Sequence, residues 1–470
     1  MKYDLNALDA ALAAKIEEKK LPGVSVCIRG REGVIFEKGY GMGDLEGNRP
    51  IDEHTVFGIA SMSKSTTTLA LCILAAEGKM SFDDPVVKYF PNFRVPGTPV
   101  ESVCVKHLAT HTAGIPPMEP LEWSIAMNTA ERAESEWCRE MRRTAPNKMD
   151  EIGQIIDYIA NCEYKTLGAP GEVMSYSNEG YAILSYIADI AAGMPLEEFL
   201  QRRVFGPIGM TRTVLDEDAS HAKKLAGGNM TRLFERDENG VFTADDCWSI
   251  LPPFRGCACV KSTAHDMGRY YQCLADGGVI DGVQAIPARA AELLTGPAFP
   301  EEEKPFYCFG LNKRTRHGHV ICEHAGGLHG VSTFGGLLKG EGFGFAALCN
   351  EGDQDTDDLT WMMYNMIMGR PLEEDHRWLR PSGNAFSAPE MLAGSYICHE
   401  GLPSTLRVFM ENGELRMEDG NGPLTPVHCD GTWFQGWRDG KLANRMHFYV
   451  RNGQAWAVKV GSRVWERMGG

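Results

Sequence analysis

No apolar run in this chain reaches the roughly 20 residues that a membrane-spanning helix needs. No apolar stretch follows Met1-Lys2-Tyr3-Asp4-Leu5-Asn6 either, so the start does not read as an export signal and a cytoplasmic location is expected. Positive charge is scarce: 47 lysines and arginines face 63 acidic side chains, a formal net charge of -16. That balance argues against nucleic acid or an anionic membrane as the main partner. Among 14 cysteines no two stand as Cys-x-x-Cys, and the closest pair is Cys257-Ala258-Cys259. That spacing does not suit structural zinc, and no metal or cofactor is expected. Without an export signal the thiols read as reduced, mostly buried small hydrophobes. Repeats of fixed period and low-complexity tracts are also missing.

What remains is an ordinary globular composition, 43% hydrophobic and 23% charged over 470 residues. That length allows a large core and two domains. Leu5, Leu8, Leu12 and Ile16 recur at spacings of three and four, which predicts a first amphipathic helix ending near Leu21-Pro22-Gly23. Val24 to Arg29 and Val34 to Tyr40 read as strands around a Gly30-Arg31-Glu32-Gly33 turn. Residues 121–150 are charged and helical in flavour without a deep apolar face, which predicts a surface insertion, a lid over a cleft. Residues 211–256 read as polar loop. Ser262 to Asp266 reads as a capped helix start. Val331 to Leu338 and Phe343 to Cys349 should pair across Lys339-Gly340-Glu341-Gly342, and Asp358 to Met368 should form a last helix.

A change of style follows a linker rich in charge and proline, 371–389. From 390 to 470, short alternating runs are separated by turns such as Glu411-Asn412-Gly413 and Arg451-Asn452-Gly453. Strands at this even spacing suggest a small antiparallel barrel or sandwich.

The chemistry centres on Phe57-Gly58-Ile59-Ala60-Ser61-Met62-Ser63-Lys64, followed by the apolar run Leu69 to Ala76. On a helix, residues i and i+3 share a face, so Ser61 and Lys64 point the same way. A serine hydroxyl is a weak nucleophile until a base takes its proton. A lysine can be that base where burial and positive potential favour its neutral form. A lone Ser-x-x-Lys is usually chance: Ser220-His221-Ala222-Lys223 is a second match, set in a charged segment with no apolar helix behind it. Two further elements strengthen the first match, Tyr176-Ser177-Asn178 and His324-Ala325-Gly326. A phenol can relay a proton, a carboxamide can bind a substrate amide, and glycines on a strand let backbone N–H groups approach a substrate.

In this order these elements resemble the penicillin-recognising serine hydrolases, in particular the branch of class C β-lactamase-like esterases and D-aminopeptidases. The resemblance covers roughly residues 5 to 370, with further landmarks at Leu108-Ala109-Thr110-His111-Thr112-Ala113-Gly114 and Pro170-Gly171. The tail resembles, more weakly, the lipocalin-like barrels appended to some members. The resemblance implies an α+β fold, an antiparallel sheet flanked by helices beside an all-helical region, as a catalytic domain over 1–370. It implies Ser61 as the acylated nucleophile and Lys64 and Tyr176 as the proton-transfer pair. It implies the Ser61 and Gly327 N–H groups as the oxyanion hole, with Asn178, His324 and Gly326 lining the substrate site. An ester or amide of a small molecule or short peptide is the expected substrate, D-amino-acid derivatives included. Oligomeric state stays open.

One departure is chemical. Penicillin-acting relatives usually carry Lys-Thr-Gly on the strand, a fixed charge for the antibiotic's carboxylate, whereas His324 can be neutral. That favours an esterase or amidase over a β-lactamase. His329, where many relatives have proline, is a second departure. Two rivals remain: a metal hydrolase built on His317, His319, His324 and His329, which strand alternation would scatter between two faces, and a non-catalytic or slow-turnover penicillin-binding sensor.

Overall fold

A computed structural model describes residues 3–129, 135–237, 239–296, 306–377 and 379–469. Its larger part is built on a seven-stranded antiparallel sheet. The strand order is Phe306–Tyr307, Asn312–Arg316, His319–Leu328, Val331–Leu338, Phe343–Cys349, Gly23–Gly30 and Gly33–Gly41. The chain's first hairpin thus completes a sheet made by its later strands, with Val24 opposite Cys349. Gly23–Gly30 and Val331–Leu338 are buried at every position, because helices cover both faces.

One face carries the helices Leu5–Lys19 and Asp357–Ile367. Leu8, Leu12 and Ile16 meet Trp361, Met362 and Met363 there in one apolar cluster. Asp4 caps the first helix by accepting from Ala7 N, and Lys20 ends it in a left-handed conformation. The other face carries Ala264–Ala275, capped by Thr263 as the sequence suggests, and leads into the main helical core. At the centre of that core lies Ser63–Ala76, buried from Ser63 to Leu74. Its threonines are satisfied internally: Thr66 and Thr68 donate to the Ser63 and Lys64 carbonyls, and Thr67 donates to Gly256 O.

Two expectations need correction. Segment 121–150 has a buried apolar side. Helices Pro120–Asn128 and Glu136–Thr144 send Leu121, Trp123, Ala126, Cys138 and Met141 into the main core. The charged residues between them mask a sparse apolar stripe, and residues 130–134 of the segment lie outside the described residues. The 211–256 stretch also holds more than loop: a helix, Ser220–Ala226, and a hairpin of Leu233–Arg236 with Phe242–Asp245.

The C-terminal part is a closed antiparallel barrel of eight strands between Gly394 and Arg467. Tyr396, Leu406, Val408, Phe434, Met446 and Phe448 fill its interior. Its outer wall packs on the larger part through Ala457 and Val464 against Leu167 and Val173. Arg451 pairs with Glu172 at the rim of that contact. Among the described residues no helix is long and apolar enough to cross a membrane.

Candidate active site

Ser61 precedes the α-helix proper. It lies in a single 3-10 turn, Ala60–Met62, that feeds Ser63–Ala76. In 3-10 geometry residues i and i+3 eclipse, so the Ser61–Lys64 pairing survives. Lys64 Nζ lies 3.1 Å from Ser61 Oγ. Ala60, just before the serine, holds φ at +44°. A residue with a Cβ tolerates that only where its surroundings enforce it, and at about 1–2 kcal/mol. Two contacts enforce it: Ile59 N donates to Val260 O at 3.0 Å, and Thr333 Oγ1 donates to Ile59 O at 3.1 Å.

Lys64 is fully buried. Besides Ser61, its amine reaches Asn178 Oδ1 at 2.9 Å and Cys257 O at 3.4 Å. Among the described residues no carboxylate pairs with it, so a buried amine faces only neutral oxygens. Asn178 opens the helix Asn178–Ala192, whose N-cap Ser177 accepts from Gly180 N. That cap anchors the segment carrying Tyr176. Lys64 Nζ lies 4.8 Å from the centroid of the Tyr176 ring, over its face. Among the described residues the Tyr176 hydroxyl makes no hydrogen bond to Ser61 or Lys64, so the relay pictured from sequence is close by but not yet connected.

The strand His319–Leu328 closes the site. At Gly326 it runs so near the Ser61 turn that a Cβ would lie 2.4 Å from Ile59 O. One residue on, a Cβ at Gly327 would meet nothing within 4 Å, so that position faces open space. His324 Nδ1 donates to Ala325 O at 2.5 Å, which leaves Nε2 to accept from the Tyr307 hydroxyl at 3.0 Å. Burial first, then the Lys64 charge, pushes its pKa down to about 3. The imidazole is therefore neutral at physiological pH and supplies no fixed cation. The other three histidines of the metal reading go separate ways: His317 to Glu374, His319 to Glu341, His329 between Glu235 and Asp245. His329 is pushed up to about 10 by hydrogen bonds to Asp245 and Glu235, and so clamps the turn after this strand to the 233–245 hairpin. Ser220 and Lys223 of the second Ser-x-x-Lys are both exposed.

Several contributors carried no signal in the sequence. Tyr307 reaches His324 because an edge strand pairs Phe306 with Lys313. The barrel also reaches the site. Tyr176 N donates to Ser462 O at 2.9 Å, and Val464 N donates to Ser175 Oγ at 3.2 Å. The Arg463 guanidinium lies 4.4 Å from the Tyr176 ring centroid and is ion-paired with Glu400. Glu400 in turn lies 3.5 Å from Asn178 Nδ2. Behind it Glu179 is 4% exposed, and burial pushes its carboxyl up to about 7. Such contacts join residues near 176 to residues near 463, a separation that local pattern cannot bridge.

A serine beside a buried amine, with an aromatic ring over it and a glycine-lined strand alongside, is an arrangement whose chemistry suits acyl transfer. The chain belongs to the beta-lactamase family, whose model matches residues 8–363. It is 23% identical over 420 residues to a penicillin-binding protein of Bacillus subtilis (strain 168), covering 86% of each chain. In fold it is similar to the octameric penicillin-binding protein homologue from Pyrococcus abyssi, with a TM-score of 0.67 and 21% identity over 98% of this chain and 99% of that one. It is also similar to the D-amino acid amidase from Ochrobactrum anthropi SV3 solved with D-phenylalanine. There the TM-score is 0.58 and the identity 20%, over 76% of this chain and 95% of that one.

Proposed function

We propose that this protein is a serine hydrolase that cleaves an ester or amide through an acyl-enzyme on Ser61. The observation that carries the reading is the 3.1 Å contact between Lys64 Nζ and Ser61 Oγ in a buried site where, among the described residues, no carboxylate pairs with the amine. Lys64, helped by Tyr176, takes the Ser61 proton as Oγ attacks the carbonyl carbon. The N–H groups of Ser61 and Gly327 receive the developing oxyanion, and Gly327 suits that role because nothing crowds it. Collapse of the tetrahedral adduct breaks the bond to the leaving group, which takes the proton from Tyr176 or Lys64. Water then attacks the ester carbonyl by the same route and restores Ser61. The gap between the Tyr176 hydroxyl and Lys64 closes when substrate binds, since catalytic hydrogen bonds often tighten only in the complex.

The substrate class we favour is a small amide or ester of an amino acid, D-configured derivatives included. One observation supports it over a β-lactam: the neutral His324 offers no cation for an antibiotic's carboxylate. A D-amino acid amidase stands beside β-lactamases and penicillin-binding proteins among the proteins that share the fold, so the fold admits such a substrate without choosing it. Asn178 would orient the substrate amide, with His324 and Gly326 forming the facing wall. A panel of D- and L-aminoacyl p-nitroanilides, p-nitrophenyl acetate and nitrocefin tests this, with Ser61→Ala as control. Turnover of an aminoacyl amide or simple ester that disappears in Ser61→Ala is expected. Nitrocefin as the preferred substrate would overturn the substrate class. An acyl adduct that forms and never turns over would favour a sensor.

A further inference from the structure

His111 takes no part in the scheme above, yet it is built into the site more tightly than most residues that do. It follows the helix Val105–Ala109 in the run Leu108-Ala109-Thr110-His111-Thr112. It is 3% exposed and holds φ at +58°, a left-handed conformation uncommon for a residue with a Cβ. Such a conformation persists where its neighbours over-determine it, and it often marks a functional constraint.

The neighbours here are those of Tyr176. The His111 carbonyl accepts from Ser175 N at 2.9 Å, and its ring Nδ1 accepts from Ser177 N at 3.0 Å. These bonds grip the chain on both sides of Tyr176. The imidazole itself lies on the phenol, centroids 4.2 Å apart at an angle of 31°. Tyr307 and Tyr181 pack around the same ring at 4.6 Å and 4.9 Å. The flanking segment is tied down as well, since Gly171 N donates to Thr112 O at 2.8 Å and Leu167 N donates to Gly114 O at 3.0 Å.

The ring's other nitrogen, Nε2, is buried and has no hydrogen-bond partner among the described residues. Because Nδ1 accepts a backbone N–H, the neutral imidazole keeps its proton on Nε2. Burial, then the nearby Lys64, Arg463, His324 and Lys459, hold its pKa well below the ordinary value. It is a fixed, neutral plate.

We propose that His111 is the positioning residue of Tyr176: its carbonyl, its Nδ1 and its ring face hold the phenol against the Lys64 amine. The inference rests on the role proposed above for Tyr176. A plain packing role would lower stability without caring whether that phenol is present.

The test is the rate constant for modification of Ser61 by a fluorophosphonate probe in the full-length chain. His111→Phe keeps a ring and removes the Nδ1 acceptor. It should slow labelling by about 10- to 100-fold, while probe half-saturation moves by less than about threefold. In a Tyr176→Phe background the same change should slow labelling by less than about twofold, because the group it positions is gone. His111→Asn tolerates the left-handed conformation and keeps an acceptor, so it should recover to within about tenfold of the parent. If His111→Phe does not fold, His111→Gly, which accepts the left-handed conformation and removes both ring and acceptor, is compared in the two backgrounds instead. Equal losses in both backgrounds, or no loss at all, would overturn the proposal. A Tyr176→Phe variant labelled at the parental rate would overturn the role of Tyr176 itself, a distinguishable result.

Discussion

A methyl group on Gly326 should separate the strand from the nucleophile. Its Cβ would lie 2.4 Å from Ile59 O, 2.4 Å from Thr333 Oγ1 and 3.2 Å from Ala60 Cβ. The threonine hydroxyl can rotate away only by giving up its bond to Ile59 O, and Ile59 O itself is backbone and leads directly into Ala60 and Ser61. Even close C···O contacts sit near 3.3 Å, so the turn and the strand must part by roughly 0.9 Å. Overpacking of this kind destabilises by about 1–3 kcal/mol, or a few degrees of melting temperature. A misplacement near 1 Å at reacting groups costs on the order of 100-fold in rate. Gly326→Ala should therefore melt earlier and lose about that much kcat/KM on a p-nitrophenyl ester. Gly327→Ala is the internal control. Its Cβ meets nothing within 4 Å, so its melting temperature should stay within about 1 °C. Thermal unfolding and ester hydrolysis on both variants decide the matter. A Gly326→Ala protein that melts and turns over like the parent would refute the close-approach argument.

Three other outcomes follow from the site. His324 titrates near 3, so the pH–rate profile between pH 5 and 9 should keep its shape in His324→Asn, and a lost inflection in that range would contradict the neutral assignment. Glu179 is raised from 4.5 to about 7, so the folded state holds more protons between those values and stability falls as pH rises through that window. Glu179→Gln should gain up to roughly 3 kcal/mol over the parent above pH 7 and nothing below 4.5 in denaturant titrations. A gain confined to acid would reverse the sign. Arg463→Met leaves Glu400 unpaired beside Asn178, and should cost more than the double change Arg463→Met with Glu400→Gln, by about 1–3 kcal/mol. Additive costs would show that the barrel's ion pair carries no weight at the site.

What could be read from sequence was local or periodic. The paired runs Val331–Leu338 and Phe343–Cys349 have the ends that the turn between them suggests, and Leu8, Leu12 and Ile16 do face the core. Ser61 and Lys64 meet because three residues span one turn in either helix type. The illegible parts depend on long-range closure. Nothing near Arg463 says that it stacks on Tyr176, and nothing near Tyr307 says that it bonds His324. The 121–150 segment misled because its few buried residues sit among many charges on short helices. His329 had no reading until the fold set Glu235 and Asp245 on either side of it.

The central claim is covalent chemistry at one hydroxyl. Intact-mass analysis and peptide mapping after exposure to a fluorophosphonate test it most directly. The account predicts a single adduct, on Ser61, absent from Ser61→Ala and formed much more slowly in Lys64→Ala. An adduct that persists in Ser61→Ala, or that maps to another residue, would contradict it.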